Sequence, residues 1–303
     1  MVRLIDENLF VLLAVCLVAS GCAGHEEALG PVADAKSAAA IRDVIYSAAD
    51  ASAATEAADA GADDATGSGW ATLKGRFTFD GTPPDLPPLN ANKDVETCAP
   101  GGQMPPDESL VVQGPGGGIA NIAVYLRKAP RVHESAQAGD APVVFDQKQC
   151  MFLTHVCPIV VGETLLVKNS DPVGHNTKIN TARGTASNAI IAAGKSEPYR
   201  PTAEEAVPAP VSCSIHPWMT SYVLPRRDRY VAVTAADGSF EIANLPAGVR
   251  LEFQVWHERS ASVTGGLVID APGWSKRGRF SVELDVDVTR TIEIAVPAKA
   301  FRL

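Results

Sequence analysis

The residues with the most chemistry to offer sit in one short string, Cys213-Ser-Ile-His216-Pro-Trp-Met219. A further histidine lies upstream, in Asn169-Ser-Asp-Pro-Val-Gly-His175-Asn176. A thiolate, two imidazoles and a thioether are a mixed donor set. Sulfur donors hold Cu(I) and imidazoles hold Cu(II), so the mixture suits one copper ion that changes charge. Cys, His and Met three residues apart on a short loop can point at one spot. A histidine from a neighbouring strand can then fix the geometry in both charge states, so that little has to move when an electron moves. The candidate metal ligands are therefore His175, Cys213, His216 and Met219.

The elements that must position them are strands. Glycines (25) and prolines (22) are spread between short runs rich in Val, Ile and Phe, which predicts an all-β chain with many turns. Strands are expected at 71–80, 119–126, 143–145, 159–161, 164–169, 189–192, 211–213 and 221–224. A second series follows at 230–234, 239–242, 251–256, 280–286 and 291–296. No long amphipathic helix is visible. Gly116-Gly117-Gly118 lacks the lysine and helix start of a phosphate cradle and reads as a turn.

The order His, Cys, His, Met resembles the cupredoxins, the blue copper proteins, and Cys-x-x-His-Pro-x-Met is most similar to their amicyanin branch, which has a short ligand loop. The stretch 164–176 (TLLVKNSDPVGHN) is similar to the strand and loop that carry the first histidine of that family, and the resemblance covers about 143–227. It implies a Greek-key β-sandwich with His175 and His216 as imidazole ligands, Cys213 as the thiolate and Met219 as the axial thioether. It also implies that Asn176 ties the two ligand loops together through Ser214, orienting the ligands from behind. Pro172, Val173, Pro217 and Trp218 are expected to form an apolar collar around an exposed edge of His216, a docking surface for a redox partner. Two other readings stay open: Cys213 in a disulfide with the histidines merely packed, and zinc at the same residues, for which a thioether is a poor ligand.

A second resemblance lies at 230–258. Its turns Asp237-Gly-Ser-Phe240 and Leu245-Pro-Ala-Gly248 are similar to those of the carboxypeptidase regulatory-like domain, a transthyretin-type β-sandwich without catalytic residues. Lys74-Gly-Arg-Phe77, Gly81-Thr-Pro83 and 121–126 resemble that domain's missing start. The expected architecture is thus a cupredoxin sandwich at 143–227 inserted into a second, smaller sandwich made of 69–142 and 228–303. Three consecutive β units are the alternative. If the insertion holds, Phe77 or Val124 must neighbour strands within 230–256.

The remaining cysteines need a reason in an oxidising compartment. Cys98 and Cys150 are the expected disulfide, with Cys157 as a small buried hydrophobe; Cys98–Cys157 and Cys150–Cys157 stay open. Cys150, His155 and Cys157 form an irregular cluster that reads as a strand with one disulfide and a surface histidine rather than a second metal site. His133 is expected in a solvated loop, and Trp256-His257-Glu258 as a packing cluster at a strand end.

Residues 9–18 form an apolar run too short to span a bilayer, followed by Ala19-Ser-Gly-Cys22. That string resembles the lipobox of bacterial lipoproteins, although Ala19 stands where Leu is usual and Asp6 and Glu7 accompany the single base Arg3. It implies a signal peptide at 1–22, lipidation at Cys22 and a periplasmic or cell-surface protein held to the membrane by lipid alone. Residues 23–68 are Ala-rich and acidic, with nine acids against two bases, and are expected to be a disordered linker. Most of the chain's net charge of −9 sits in this N-terminal part, so the folded part is nearly neutral and offers nucleic acid no basic field. With no open metal position and no acid/base pair, the sequence points away from an enzyme. It points toward an electron carrier with a redox partner protein. Copper storage or delivery, and an interaction or carbohydrate-binding sandwich with a vestigial copper loop, are the alternatives.

Overall fold

The computed structural model describes residues 67–114 and 116–303. The expected signal peptide, the lipid site at Cys22 and nearly all of the expected linker lie outside the described residues. Within them the chain is all-β, and its α-helix is one short turn, α1 (Val95–Cys98).

Strand β1 (Trp70–Asp80) buries Ala71, Leu73, Gly75, Phe77 and Phe79 and turns the residues between them outward, the two-residue period of a half-buried strand. It pairs antiparallel with β15 (Ser239–Pro246) and parallel with β18 (Thr289–Pro297). The short β3 (Gly118–Ile119) and β2 (Val112–Gln113) extend this sheet. A second sheet runs β14 (Val231–Val233), β4 (Ala123–Leu126), β16 (Arg250–Trp256), β17 (Arg279–Glu283). One core cluster joins the two, with Leu73, Phe77, Phe240 and Ile242 from the first and Val124, Leu126, Phe253 and Val255 from the second. Phe253 is fully buried and stacks on Phe280 at 5.3 Å, so truncating it to alanine costs roughly 3–5 kcal/mol. Strands before residue 143 therefore pair with strands after 227: Phe77 packs 5.6 Å from Phe240, and Val124 lies opposite Ala232 and Val255.

Residues 119–126, expected as one strand, divide between the two sheets. Asn121 adopts a left-handed backbone (φ 63°), which breaks the ladder and redirects the chain. The buried Thr234 hydroxyl donates to Ile119 O at 2.7 Å and accepts from Ile122 N at 2.9 Å, so the groups freed by the break stay paired. The expected Asp-Gly turn is also where two backbones meet: a Cβ on Gly238 would sit 2.1 Å from Phe77 O.

Residues 143–227 make two further sheets. One runs β11 (Ser196–Tyr199), β8 (Leu165–Asn169), β5 (Val143–Lys148), β6 (Met151–Phe152). The other runs β10 (Ser187–Ile191), β9 (His175–Ile179), β12 (Ala209–Ser212), β13 (Thr220–Arg226), β7 (Val156–Val160). Phe145, Phe152, Leu165, Val167, Ile179, Ile191, Val211 and Val223 fill the core between them. Among the described residues each pair of sheets holds nine strands, so the sandwich expected to be the smaller equals its neighbour in strand number.

The two sandwiches share a junction. Ala123, Tyr125 and Trp256 pack on Val156 and Leu224. Arg226 is buried there; it donates to the carbonyls of Leu126 and Arg127 on one side and Glu205 on the other, and pairs with Glu204 at 2.7 Å. His155, expected at the surface, is buried at 8% exposure, with Nε2 against the Glu258 carboxylate. The Trp256-His257-Glu258 cluster is therefore packing of both sandwiches, with Trp256 4.7 Å from the Tyr222 ring. His133 is half-buried, edge-on to Trp70.

His257 is buried, and burial, aided by the charges of His155 and Arg259, pushes its imidazole down to about 3 from 6.5. Below pH 6.5 the unfolded chain takes up a proton that the folded chain refuses until about pH 3. Stability is thus full above pH 6.5 and is lost as pH falls through that window, by up to about 1.4 kcal/mol per pH unit. Urea unfolding at several pH values is expected to show this slope in wild type and a flatter one in His257→Gln. Equal slopes in the two proteins would refute the assignment.

Candidate metal centre

Two loops meet at one end of the five-stranded sheet. His175 opens β9, and Cys213 directly follows β12, its antiparallel neighbour, paired at Val211↔Ile179 and Ser212↔Lys178. Strands β12 and β13 form a hairpin closed by the pair Ser212↔Thr220, so residues 213–219 are its connection. Inside it Met219 N donates to His216 O at 3.0 Å, and His216 N to Cys213 Sγ at 3.4 Å. These contacts curl the loop so that Cys213 and His216 face the same side.

Three of the four expected ligands, His175, Cys213 and His216, converge. Nδ1 of His175 lies 2.9 Å from Nδ1 of His216, and Cys213 Sγ lies 3.9 Å from His216 Nδ1. One donor atom from each of the three residues lies within 4.8 Å of the others. Both histidines are fully buried, and Cys213 is 2% exposed. Met219 is fully buried in the same core cluster as Cys213, and its carbonyl accepts from Cys213 N at 3.4 Å.

Each ring's far nitrogen is tied to a carboxylate. His175 Nε2 meets Asp171 Oδ2 at 2.8 Å, and His216 Nε2 meets Asp94 Oδ2 at 2.8 Å. A carboxylate can only accept, so each Nε2 carries hydrogen and each Nδ1 faces inward. Two imidazole nitrogens and a sulfur thus meet in a dry site, an arrangement that a cation, whether a proton or a metal ion, resolves. Donors each about 2 Å from an ion stand roughly 3 Å apart, as the two imidazole nitrogens do, with the larger sulfur at 3.9 Å from His216. The donor set fits copper: imidazole nitrogens for Cu(II), thiolate for Cu(I).

The electrostatics of the metal-free centre point the same way. Burial pushes the His175 imidazole down, but the Asp171 and Cys213 contacts outweigh it and raise it to about 9. Burial pushes the Cys213 thiol up, but His175 and the backbone N–H groups of Asn176, His216 and Ile215 outweigh it and lower it. His216 is held below its ordinary value by burial, and by the charge on His175, against the pull of Asp94. The raised imidazole and the lowered thiol both follow from the closeness of His175 and Cys213.

The surroundings hold this geometry. Asn176 Oδ1 accepts from Ser214 N at 2.5 Å, while its Nδ2 donates to Asn188 at 2.7 Å, so Asn176 and Ser214 do tie the two loops together. Asn176 N also donates toward Cys213 Sγ at 3.5 Å. Cys98 and Cys150 form a disulfide, and Cys157 is a free, buried thiol that burial raises to about 12. The disulfide removes Cys150 from any cluster with His155 and Cys157. Gln149 and Cys150 form a two-residue turn between β5 and β6 with both residues left-handed (φ 53°). Such turns usually take Asn-Gly; here Asp171 compensates by accepting both backbone N–H groups, at 2.6 and 2.8 Å. Asn169 braces the same loop through Val173 O, Ile191 O and Asp171 N.

Neither the protein-family models nor the curated proteins offer a match to the chain. Among solved structures it is similar to amicyanin from Paracoccus versutus, at 19% identity over 34% of this chain and 97% of that one, with a TM-score of 0.25. It is also similar to a copper-containing nitrite reductase from Thermus scotoductus, at 21% identity over 31% of this chain and 25% of that one (TM-score 0.27). A purple cupredoxin from Nitrosopumilus maritimus gives 22% identity over 29% of this chain and all of that one (TM-score 0.24).

Of the expected collar, Pro172 and Pro217 are exposed, and Val173 and Trp218 are half-buried. The His216 edge they were to surround is covered, because Asp94 sits on its Nε2. Asp171 could have been read from its place four residues before His175 in a turn-rich string. Asp94, 122 residues from His216, carries no local signal.

Asn176→Ala removes the hydrogen bond that joins the two loops at Ser214 and the one to Asn188 on β10. The metal-free variant is expected to unfold with about 1–3 kcal/mol less stability at an unchanged m-value. A denaturant midpoint equal to wild type would show that the loops are held by other means.

Proposed function

We propose that this protein is a type 1 copper protein that carries electrons. The observation that carries the reading is the convergence of His175 Nδ1, His216 Nδ1 and Cys213 Sγ in a buried site, with both Nε2 atoms tied to carboxylates. His175, Cys213 and His216 would hold one copper ion, with Met219 as a weak fourth donor. Bound copper supplies a one-electron couple between Cu(I) and Cu(II). The chain's own residues supply the rest. Asn176, the β9–β12 ladder and the two aspartates hold the donors in place, and burial excludes water. Fixed donors suit electron transfer because little nuclear motion accompanies the change of charge.

The same features favour carrying electrons over handing on the ion, since fully buried donors suit retention. No enzymatic role is proposed, because four protein donors leave no open position for a substrate. An exported, lipid-anchored location at Cys22 and a protein redox partner belong to this reading on the strength of the sequence alone.

Titration of the purified protein with Cu(II) is expected to give one ion per chain and an intense thiolate-to-copper absorption, with a matching electron-paramagnetic-resonance signal. Cys213→Ser is expected to lose that absorption entirely. Absence of stoichiometric uptake by wild type, or an unchanged band in the variant, overturns the reading.

A further inference from the structure

His216 belongs to a surface loop whose Ser214 and Pro217 are exposed, yet its own side chain has no exposure. The cover comes from far away in sequence. Asp94 Oδ2 lies 2.8 Å from His216 Nε2, the ring atom that faces away from the donor cluster. Asp94 has a left-handed backbone (φ 48°, ψ 43°) at the head of α1, and its carbonyl accepts from Thr97 N and Cys98 N, both at 2.9 Å. The segment is seated at both ends. Ala91, Cys98 and Ala99 are buried in the same core as Cys213 and Met219.

The disulfide completes the arrangement. Cys98 is bonded to Cys150, and the sulfurs of both lie within 4.8 Å of a His216 ring nitrogen. Cys150 N donates to Asp171, which holds His175, and Cys150 O accepts from Trp218 Nε1 at 3.2 Å, in the loop that carries His216. One covalent link therefore seats both carboxylates that orient the two imidazoles.

We propose that Asp94 is a positioning residue for His216, and that the disulfide-tethered segment carrying it closes the edge by which that ring would otherwise meet solvent. The proposal rests on the copper reading for its function but not for its geometry. Asp94 keeps the hydrogen on Nε2, so Nδ1 stays available to a metal. It also stops the ring from swinging outward, so an ion bound by Nδ1 leaves slowly. The Asp94 carboxylate is about a third exposed, which puts a negative charge rather than an apolar patch over the ring.

The test uses the full chain as wild type, Asp94→Asn, Asp94→Ala and the double variant Cys98→Ser/Cys150→Ser. In the Cu(I) form, transfer of copper to a cuprous chelator is expected to be at least tenfold faster in Asp94→Ala and in the double variant, with Asp94→Asn between. In the metal-free form, the His216 Nε2 proton is expected to be visible by NMR in wild type and lost to solvent exchange in Asp94→Ala. Transfer rates within twofold of wild type together with a persisting Nε2 proton overturn the proposal. If wild type takes up no copper, the copper reading fails, and the NMR comparison still decides whether Asp94 holds His216. Asp94 lies at the surface, and Asp94→Asn keeps a residue that tolerates its left-handed backbone, so that variant is not expected to disturb the fold.

Discussion

Three electron-rich atoms are pressed together where β9 and β12 end, and the structure around them is arranged to keep them from parting. Left alone, two imidazole lone pairs and a sulfur would turn away from one another toward water or a hydrogen-bond donor. A buried polar group without a partner costs about 1–3 kcal/mol. Here the turn is blocked. Each ring is pulled from behind by a carboxylate at 2.8 Å, and the sulfur is approached by the backbone N–H groups of Asn176 and His216. The frustration has one inexpensive remedy, a positive charge at the point of convergence. The raised His175 imidazole and the lowered Cys213 thiol are the response of the metal-free groups to the same crowding.

A site built this way holds its shape by its supports rather than by its occupant. The antiparallel ladder sets the separation of the two loops, Asn176 links their backbones, and Asn169 and Asp171 stiffen the loop before His175. Such outer contacts fix ring tautomer and orientation and raise ligand basicity. Their layout is asymmetric. Asp171 is 3% exposed and bonded to two backbone amides, so it is part of the core, whereas Asp94 reaches in from a covering segment and keeps a third of its surface in water. The His175 side of the site is thus permanently framed, and the His216 side is closed by a separate piece of chain.

Much of this was legible in the residues. Cys213, His216 and Met219 declare themselves because donors at that spacing on a strand-to-strand loop have few other uses, whereas the role of Asn176 came only from the resemblance to cupredoxins. The Cys98–Cys150 pairing was the expected one of three, but residues alone could not choose it. What could not be read were features that depend on the chain meeting itself at long range. Residues 119–126 form an apolar run long enough for one strand, and only the contact with Thr234 reveals that Asn121 turns them into two. Gln149-Cys150 has none of the glycine or asparagine that marks a left-handed turn, because the compensation comes from Asp171 on another strand. His155 looked like a surface residue because its partner, Glu258, lies 103 residues away. The collar around His216 was inferred from neighbours in sequence, and Asp94 is not one of them.

One strand joins the site to the rest of the molecule. β13 starts at Thr220, immediately after Met219, and ends at Arg226, whose guanidinium holds the carbonyls of Leu126 and Arg127 across the junction. Its other edge pairs in parallel with β7, where Ser221 Oγ donates to Thr154 O at 2.7 Å and Tyr222 lies opposite Val156. A seven-residue strand spans roughly 23 Å at about 3.3 Å per residue. Along it Ser221 and then Val223 to Arg226 are buried, Val223 in the core beside the site and Leu224 in the junction. The ligand loop is therefore the end of a beam clamped at its far end by a buried arginine, and the second sandwich braces the site without contributing a donor to it. By anchoring β13 it limits how far the loop carrying Cys213 and His216 can drift from His175.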